Sequence, residues 1–261
     1  MDTNHKWALI TGASSGFGAD FARELAAQGE NLVLVARRVE AMHTLAAELA
    51  ERHGVRVKVI GMDLARGGVG AALLAELEAE GIAIDTLINN AGYGLFGEFL
   101  QQPLQRTMDM LQLNMLTLTE LTYAFGTAMA RRGSGRILLV SSIGAYQATP
   151  TYAAYSASKS YVLLLGEALH EELRPRGVTV TVLSPGISAT GFLTVSGQKA
   201  TFYQRLVMMQ SRPVVQIGLR ALAQGKASVV PGWLNALTAW SNRLMPRSLQ
   251  RKIALLLMRN D

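Results

Sequence analysis

The chain of 261 residues contains no cysteine. That excludes disulfide staples, thiolate nucleophiles and cysteine-ligated zinc, and it suits a reducing, cytoplasmic setting without requiring one. Nowhere is there a run of about 18 apolar residues, so no membrane-spanning helix is expected. The opening MDTNHKWALI has no apolar stretch leading to a small-residue cleavage site, and no secretory signal is expected from it. The four histidines, His5, His43, His53 and His170, are scattered without ligand pairing. No metal site is therefore expected. Acid is also scarce, but only in one part of the chain. Between Glu172 and Asp261 there is no Asp or Glu, while twelve Lys or Arg fall there. The formal charge of +6 thus hides an acidic first part and a strongly basic second part. Such a surplus permits phosphate-rich, acidic or membrane-surface partners without choosing among them. A hydrophobic share of 49% with 17% charged residues describes a globular chain rather than a disordered one.

What is present is a rhythm. Short, nearly continuous apolar runs at Trp7–Thr11, Asn31–Ala36, Val55–Ile60, Thr86–Asn89, Arg136–Ser141, Val178–Leu183 and Ser228–Val230 alternate with longer helical patterns. Strands apolar on both faces belong in a parallel sheet covered by helices on both sides. The helical stretches are Gly18–Gln28, Val39–His53, Val69–Glu80, Leu104–Arg132 and Tyr152–Leu173. The alternation predicts one α/β domain over residues 1–261, a doubly wound parallel sheet of about seven strands. The rhythm breaks after Leu183. A loop-like stretch, Ser184–Gly197, leads through helical sequence and a last short strand to a tail. The tail reads as two helices parted by Met245-Pro246, with Ser248 as N-cap of the second.

Thr11-Gly12-Ala13-Ser14-Ser15-Gly16-Phe17-Gly18 closes the first strand and opens the first helix. Glycines let a backbone turn tightly and approach a pyrophosphate, which the helix N-terminus stabilises. The spacing is G-x-x-x-G-x-G, and its position in a βαβ unit is what gives it weight. After the second strand, an NAD site wants an acid for the ribose 2′-hydroxyl. Arg37 and Arg38 stand there instead, and paired guanidiniums suit a 2′-phosphate. Arginine is unfavourable at a helix N-terminus, which weighs against a merely solvated helix start. NADP(H) is thus favoured over NAD(H). Asp63, after the third strand, suits either the adenine amino group or a helix N-cap.

Tyr155 and Lys159 stand four residues apart in a helical stretch and share one face. An ammonium beside a phenol stabilises phenolate, which makes Tyr155 a candidate general acid for a carbonyl or base for an alcohol. Ser156-x-x-Lys159 echoes the acyl-serine pattern, but no S-D-N or K-T-G follows it.

Together with these residues, Asn89-Asn90-Ala91-Gly92, Asn114, Ser141-Ser142 and Pro185-Gly186-x-x-x-Thr190 occur in the order and spacing of the short-chain dehydrogenase/reductases. The chain resembles that family over about residues 5–231. The resemblance implies a Rossmann-type fold and NADP(H)-dependent interconversion of a ketone or aldehyde with an alcohol. It implies that Tyr155 protonates the carbonyl oxygen while Ser142 holds it. Lys159 would bind the nicotinamide ribose and depress the phenol, and the Asn114 carbonyl would hold a water leading to Lys159. Cofactor contacts would come from Gly12, Ser14, Ser15, Gly16, Phe17, Gly18, Arg37, Arg38, Asp63 and Leu64. Asn90, Ala91, Gly92, Tyr155, Lys159, Pro185, Gly186, Ile187 and Thr190 would complete them. Residues 187–212 look like the family's substrate lid, and its Phe192, Phe202, Tyr203, Val207, Met208 and Met209 suggest an apolar or lipid-like substrate. Tyr152 reads as pocket wall. Tyr93 and Phe96 suit either the substrate cleft or loop packing. A β-ketoacyl thioester reductase acting on a carrier-bound substrate is the alternative enzyme, and a non-catalytic NADP-binding regulator the alternative outside enzymes. A homo-oligomer, dimer or tetramer, is expected through the helices Leu104–Arg132 and Tyr152–Leu173.

The tail, residues 233–261, is a separate question. Trp233, Leu237, Trp240 and Leu244 form a narrow apolar stripe, and Leu249, Ile253 and Leu256 repeat it. Arg243, Arg247, Arg251 and Lys252 occupy other faces. The pattern fits a tail docked on its own core or on another subunit, and it fits a basic amphipathic helix in peripheral contact with a membrane. No nucleic-acid-binding module accompanies the charge, so no nucleic acid partner is expected.

Overall fold

The computed structural model describes residues 6–189, 191–198 and 208–258. Its centre is a seven-stranded, all-parallel sheet in the order β3-β2-β1-β4-β5-β6-β9. The strands are β1 (Trp7–Thr11), β2 (Asn31–Ala36), β3 (Val57–Gly61), β4 (Ile84–Asn89), β5 (Gly135–Val140), β6 (Val178–Leu183) and β9 (Ser228–Val229). Side chains alternate across each strand, so one sheet serves two cores. Ile10, Leu34 and Leu138 face one side and pack with Phe21, Met42 and Leu219. Those three sit on α1 (Gly16–Ala27), α2 (Val39–His53) and α8 (Ser211–Ala223). Leu9, Val33 and Leu139 face the other side with Leu73, Phe125 and Val162. Their helices are α3 (Val69–Ala79), α5 (Leu118–Arg132) and α6 (Ala153–Leu173). Burial on both faces is the reason the strands read as continuous apolar runs.

The strand order reverses beside β1, between the β1-β2-β3 half and the β4-β5-β6-β9 half. Crevices at such switch points, at the carboxyl ends of the strands, are where open α/β sheets bind ligands. The stretch expected as one helix over Leu104–Arg132 is α4 (Leu104–Leu111), a π-helical turn (Gln112–Thr117) and then α5. Asn114, buried, lies in that wider turn. Beyond β6, the stretch Ser184–Gly197 expected to be loop-like holds β7 (Ser188–Ala189) and a short helix α7 (Phe192–Ser196), and β7 pairs with β8 (Met209–Gln210).

The tail forms α9 (Trp233–Ser241) and α10 (Arg247–Met258). Ser248 is not the N-cap of α10. The helix starts one residue earlier, directly after Pro246, whose carbonyl accepts from Leu249 N and Gln250 N. A proline just before the first turn suits a helix start, because it sacrifices no N–H that the helix would use. Among the described residues no helix is long and apolar enough to cross a membrane.

Candidate active site

The turn after β1 is built by close backbone approach. Gly12 has φ +67°, and a Cβ there would stand 2.9 Å from Asn90 Nδ2 and 3.0 Å from Ala91 Cα. A Cβ on Gly18 would run into the Gly12 carbonyl. The turn therefore lies flat against the loop after β4, with the N-terminus of α1 opening beside it. Thr11 stitches the two together. Its Oγ1 accepts from Asn90 N and Ala91 N, both at 2.9 Å, and Asn90 Nδ2 donates to Thr11 O at 2.9 Å. Thr11 carried no role in the sequence reading. A hydroxyl ending an otherwise apolar strand was the available signal.

Arg38 stands at the start of α2 and reaches back over this turn. Its Nε and Nη2 donate to Ser14 Oγ at 3.2 and 3.1 Å, and Nη2 donates to Ser15 Oγ at 2.6 Å. A guanidinium and two hydroxyls thus converge at the end of β2. Arg37 beside it is exposed. Asp63 caps a turn, its Oδ1 accepting from Ala65 N at 3.1 Å, and α3 begins only at Val69. The helix N-cap alternative for Asp63 is therefore excluded. Leu64 is buried, and its carbonyl accepts from Thr117 Oγ1 at 2.6 Å.

At the carboxyl ends of β5 and β6 lies the second cluster. Ser142 Oγ accepts from Gly144 N at 3.1 Å, and its neighbour Ser141, which follows β5, donates to Lys159 O at 2.7 Å. Tyr155 and Lys159 project from α6, with Lys159 Nζ 5.8 Å from the centre of the Tyr155 ring. Lys159 is buried and donates to Val140 O at 2.9 Å. Burial pushes its ammonium down to about 8. Desolvation pushes Tyr155 up to about 12, opposed by a hydrogen bond with Ser142, and so acts against the lowering expected from Lys159.

Asn114 joins the two clusters. Its Oδ1 accepts from Tyr93 N at 3.2 Å, and its Nδ2 donates to Tyr93 O at 3.0 Å and to Ser158 Oγ at 3.2 Å. A Cβ on Gly92 would meet Asn114 Oδ1 at 2.8 Å and Lys159 Nζ at 3.4 Å. The amide thereby fixes the Gly92-Tyr93 backbone beside Lys159. The π-helical turn that carries Asn114 breaks the regular i→i−4 ladder, a feature frequent at functional sites. Tyr93 itself turns away from the chemistry. Its hydroxyl donates to Arg106 O at 3.0 Å, and burial raises its pKa.

Aromatic rings wall Tyr155. Tyr152 lies 5.6 Å away, Phe192 5.3 Å away, and Phe96 packs 5.4 Å from Tyr152. A Cβ on Gly94 would meet Phe192 Cζ at 2.7 Å and Tyr155 Cδ2 at 3.2 Å. Tyr152 is more than a wall. Its buried hydroxyl is shared between Ser196 Oγ and Gln198 Oε1, both at 2.9 Å, and so holds α7 down. Phe96 N donates to Ser196 O at 3.0 Å, a second tie.

Pro185 O accepts from Ile143 N at 2.8 Å, which sets the Pro185-Gly186-Ile187 backbone beside Ser142. Gly186 packs against Asn235 of α9, which is buried and would collide with any Cβ there. Sequence reasoning missed Asn235. It lies on the face of α9 opposite the Trp233–Trp240 stripe, where no apolar pattern marks it. Thr190, Phe202, Tyr203 and Val207 lie outside the described residues. Among the described residues no group of three or more His, Asp or Glu side chains could hold a metal.

The family model for short chain dehydrogenase matches residues 6–200. The very-long-chain 3-oxoacyl-CoA reductase of Pyrenophora tritici-repentis is 31% identical over 239 residues, covering 90% of this chain and 70% of that protein. A short-chain dehydrogenase from Sphingobium yanoikuyae, solved in complex with NADPH, superposes with a TM-score of 0.82 at 31% identity, over 92% of this chain and 95% of that one. The bulky-bulky ketone specific alcohol dehydrogenase from Comamonas testosteroni gives 0.78 at 31% identity, over 93% and 94%. Sheet order, glycine turn and matched length agree: the chain belongs to the short-chain dehydrogenases, oxidoreductases that interconvert carbonyl and alcohol groups with a nicotinamide cofactor.

Proposed function

We propose that the protein is an NADPH-preferring reductase of an apolar or lipid-like ketone or aldehyde, with Tyr155 as its general acid. The observation that carries this reading is the meeting of Ser142, Tyr155 and Lys159 at the carboxyl edge of the sheet, under a roof of aromatic rings. The glycine turn fits a pyrophosphate, because its backbone packs flat on the loop after β4 and sets the N-terminus of α1 beside it. The Arg38, Ser14 and Ser15 group fits a 2′-phosphate with charge-assisted and neutral donors together. Gly16, Phe17 and Gly18 would hold the pyrophosphate from the helix end, with Asp63 and Leu64 at the adenine. Asn90, Ala91 and Gly92 would border the ribose, and Pro185, Gly186, Ile187 and Thr190 the carboxamide. When bound, the reduced cofactor supplies hydride to the carbonyl carbon.

The chain's own residues handle the oxygen. Ser142 holds the carbonyl oxygen against the Tyr155 hydroxyl, and Tyr155 delivers its proton as negative charge develops there. A phenol held near 12 is fully protonated at neutral pH, which suits the reductive direction. Lys159, which would bind the ribose hydroxyls, lies near the phenol to return a proton to it and would be reprotonated from water held at the Asn114 turn. Phe96, Tyr152 and Phe192 exclude water and favour an apolar group beside the carbonyl. The similarity to a 3-oxoacyl-CoA reductase favours one second reading, reduction of a β-ketoacyl thioester. A cytoplasmic homo-oligomer remains the expected setting.

The test is NADPH oxidation over a panel of bulky ketones and acyl thioesters. Tyr155→Phe should lower kcat by about 100-fold or more while leaving NADPH affinity unchanged. Equal turnover by wild type and variant would sink the assignment. Arg38→Ala should weaken NADPH about 10- to 100-fold and NADH hardly at all, the worth of a lost charge-assisted contact. Titration by fluorescence distinguishes that from an equal loss of both.

A further inference from the structure

We propose that α9 and α10 form a docking surface for an anionic lipid bilayer. These helices are inverted relative to ordinary surface helices. What α9 buries against the body is Asn235 and Ala239, and what α10 buries is Gln250 and Ala254. The large apolar side chains point the other way. Trp233 is 75% exposed, Trp240 56%, Leu244 72% and Leu256 71%. At about 100° per residue, Trp233, Leu237 and Trp240 stand on the side of α9 opposite Asn235 and Ala239. An exposed apolar strip of this extent on a soluble chain marks a contact surface.

Charge selects the occupant. Arg243, Arg247, Arg251 and Lys252 are exposed along the strip, and no acid lies between Glu172 and Asp261. In a twofold contact each patch meets its own copy. A second copy of the tail would therefore set these cations mainly against cations, with Asp261 its single acidic side chain. Anionic headgroups supply the missing charge, while acyl chains receive the Trp and Leu side chains. Tryptophan suits the boundary, having an apolar body and an N–H that can stay in contact with headgroups.

The surface is coupled to the active site. Asn235 of α9 lies under Gly186, and α9 packs on the turn Ile143–Tyr146 that follows Ser142. Docking would hold the turns that carry Ser142 and Gly186 near the lipid, which would shorten an apolar substrate's path through water. That last step rests on the reductase reading above, whereas the docking itself does not.

The experiment is co-sedimentation of the full chain with vesicles of phosphatidylcholine alone or mixed with phosphatidylserine, at low and high salt. Tryptophan emission is followed in parallel. Binding only to the anionic vesicles, weakened by salt and accompanied by a blue shift, is expected. Arg251→Glu with Lys252→Glu should lower partitioning about tenfold or more. Trp240→Ser, at an exposed position, should lose part of the blue shift, with Trp233 carrying the rest. NADPH oxidation with a water-soluble ketone should be unchanged in both variants, which separates failure of docking from failure of the catalytic reading. Absence of binding to anionic vesicles overturns the proposal, as does equal binding by wild type and the charge-reversed variant. A drop in oligomer mass on Trp240→Ser without vesicle binding overturns it in favour of a second copy.

Discussion

At the scale of single residues the site is a balance between burial and charge. Lys159 is buried with one carbonyl partner, Val140 O, and its pKa is lowered to about 8. An unfolded lysine titrates near 10.5. Between those values the unfolded chain binds a proton that the folded chain does not, so stability rises with pH there. Below about 8 both states are protonated and the cost of the buried cation is constant. Tyr155 acts in the opposite sense only above its unfolded value of about 10, because the folded phenol keeps its proton longer. Cofactor-free protein should therefore gain stability from pH 8 to 10, by up to about 3 kcal/mol over the full Lys159 window, and lose it above. Lys159→Met should abolish that gain specifically. Urea unfolding of both proteins across the range checks it, and parallel curves would show that the ammonium is not desolvated as described.

At the scale of elements, α7 and the start of α6 are latched by one hydroxyl. Tyr152 stands at the entrance of α6, packs on Tyr155, and ties down Ser196 and Gln198. Gln198 Nε2 is buried without a partner, so the latch already tolerates one unmet donor. Removing the hydroxyl strands Gln198 further, at a cost of about 1–3 kcal/mol, and loosens α7 from α6. Tyr152→Phe should raise the substrate KM about tenfold or more while changing kcat and NADPH affinity little. Faster amide exchange over Phe192–Gln198 should accompany it. A fall in kcat at unchanged KM would place Tyr152 in the chemistry instead. The sequence exposed the partners of this latch unevenly. Tyr155 and Lys159 are legible because four residues of helix bring them together, and Gly12 to Gly18 because a turn must be local. Ser196 and Gln198 meet Tyr152 across more than 40 positions, and Asn235 meets Gly186 across nearly 50. No periodicity encodes such pairings. The seven strands were readable for the opposite reason, since two-sided burial writes itself into every apolar run. The π-helical turn at Asn114 was not, because its helical flanks are continuous in sequence.

At the scale of the whole molecule, two apolar surfaces compete for partners, and charge divides them. The basic tail lies in the acid-free part of the chain. The second surface lies on α4, α5 and α6, where Leu104, Met108, Tyr123 and Leu164 are exposed. Acids such as Asp109 and Glu120 lie on the same elements, and the cations Arg106 and Arg131 with them. A twofold contact there can place opposite charges together, which the tail cannot do. We propose that a homo-oligomer would form through the α4–α6 face and leave the tail outside. Leu164→Asp combined with Tyr123→Asp puts carboxylates into that contact without touching Ser142, Tyr155 or Lys159. Light scattering should then show a mass at most half that of the wild type, with NADPH affinity retained because neither position lies at the glycine turn. An unchanged mass would remove the α4–α6 face as the oligomer contact. Loss of cofactor binding along with mass would mean that assembly holds the Asn114 turn in place, since α4 and α5 flank it directly.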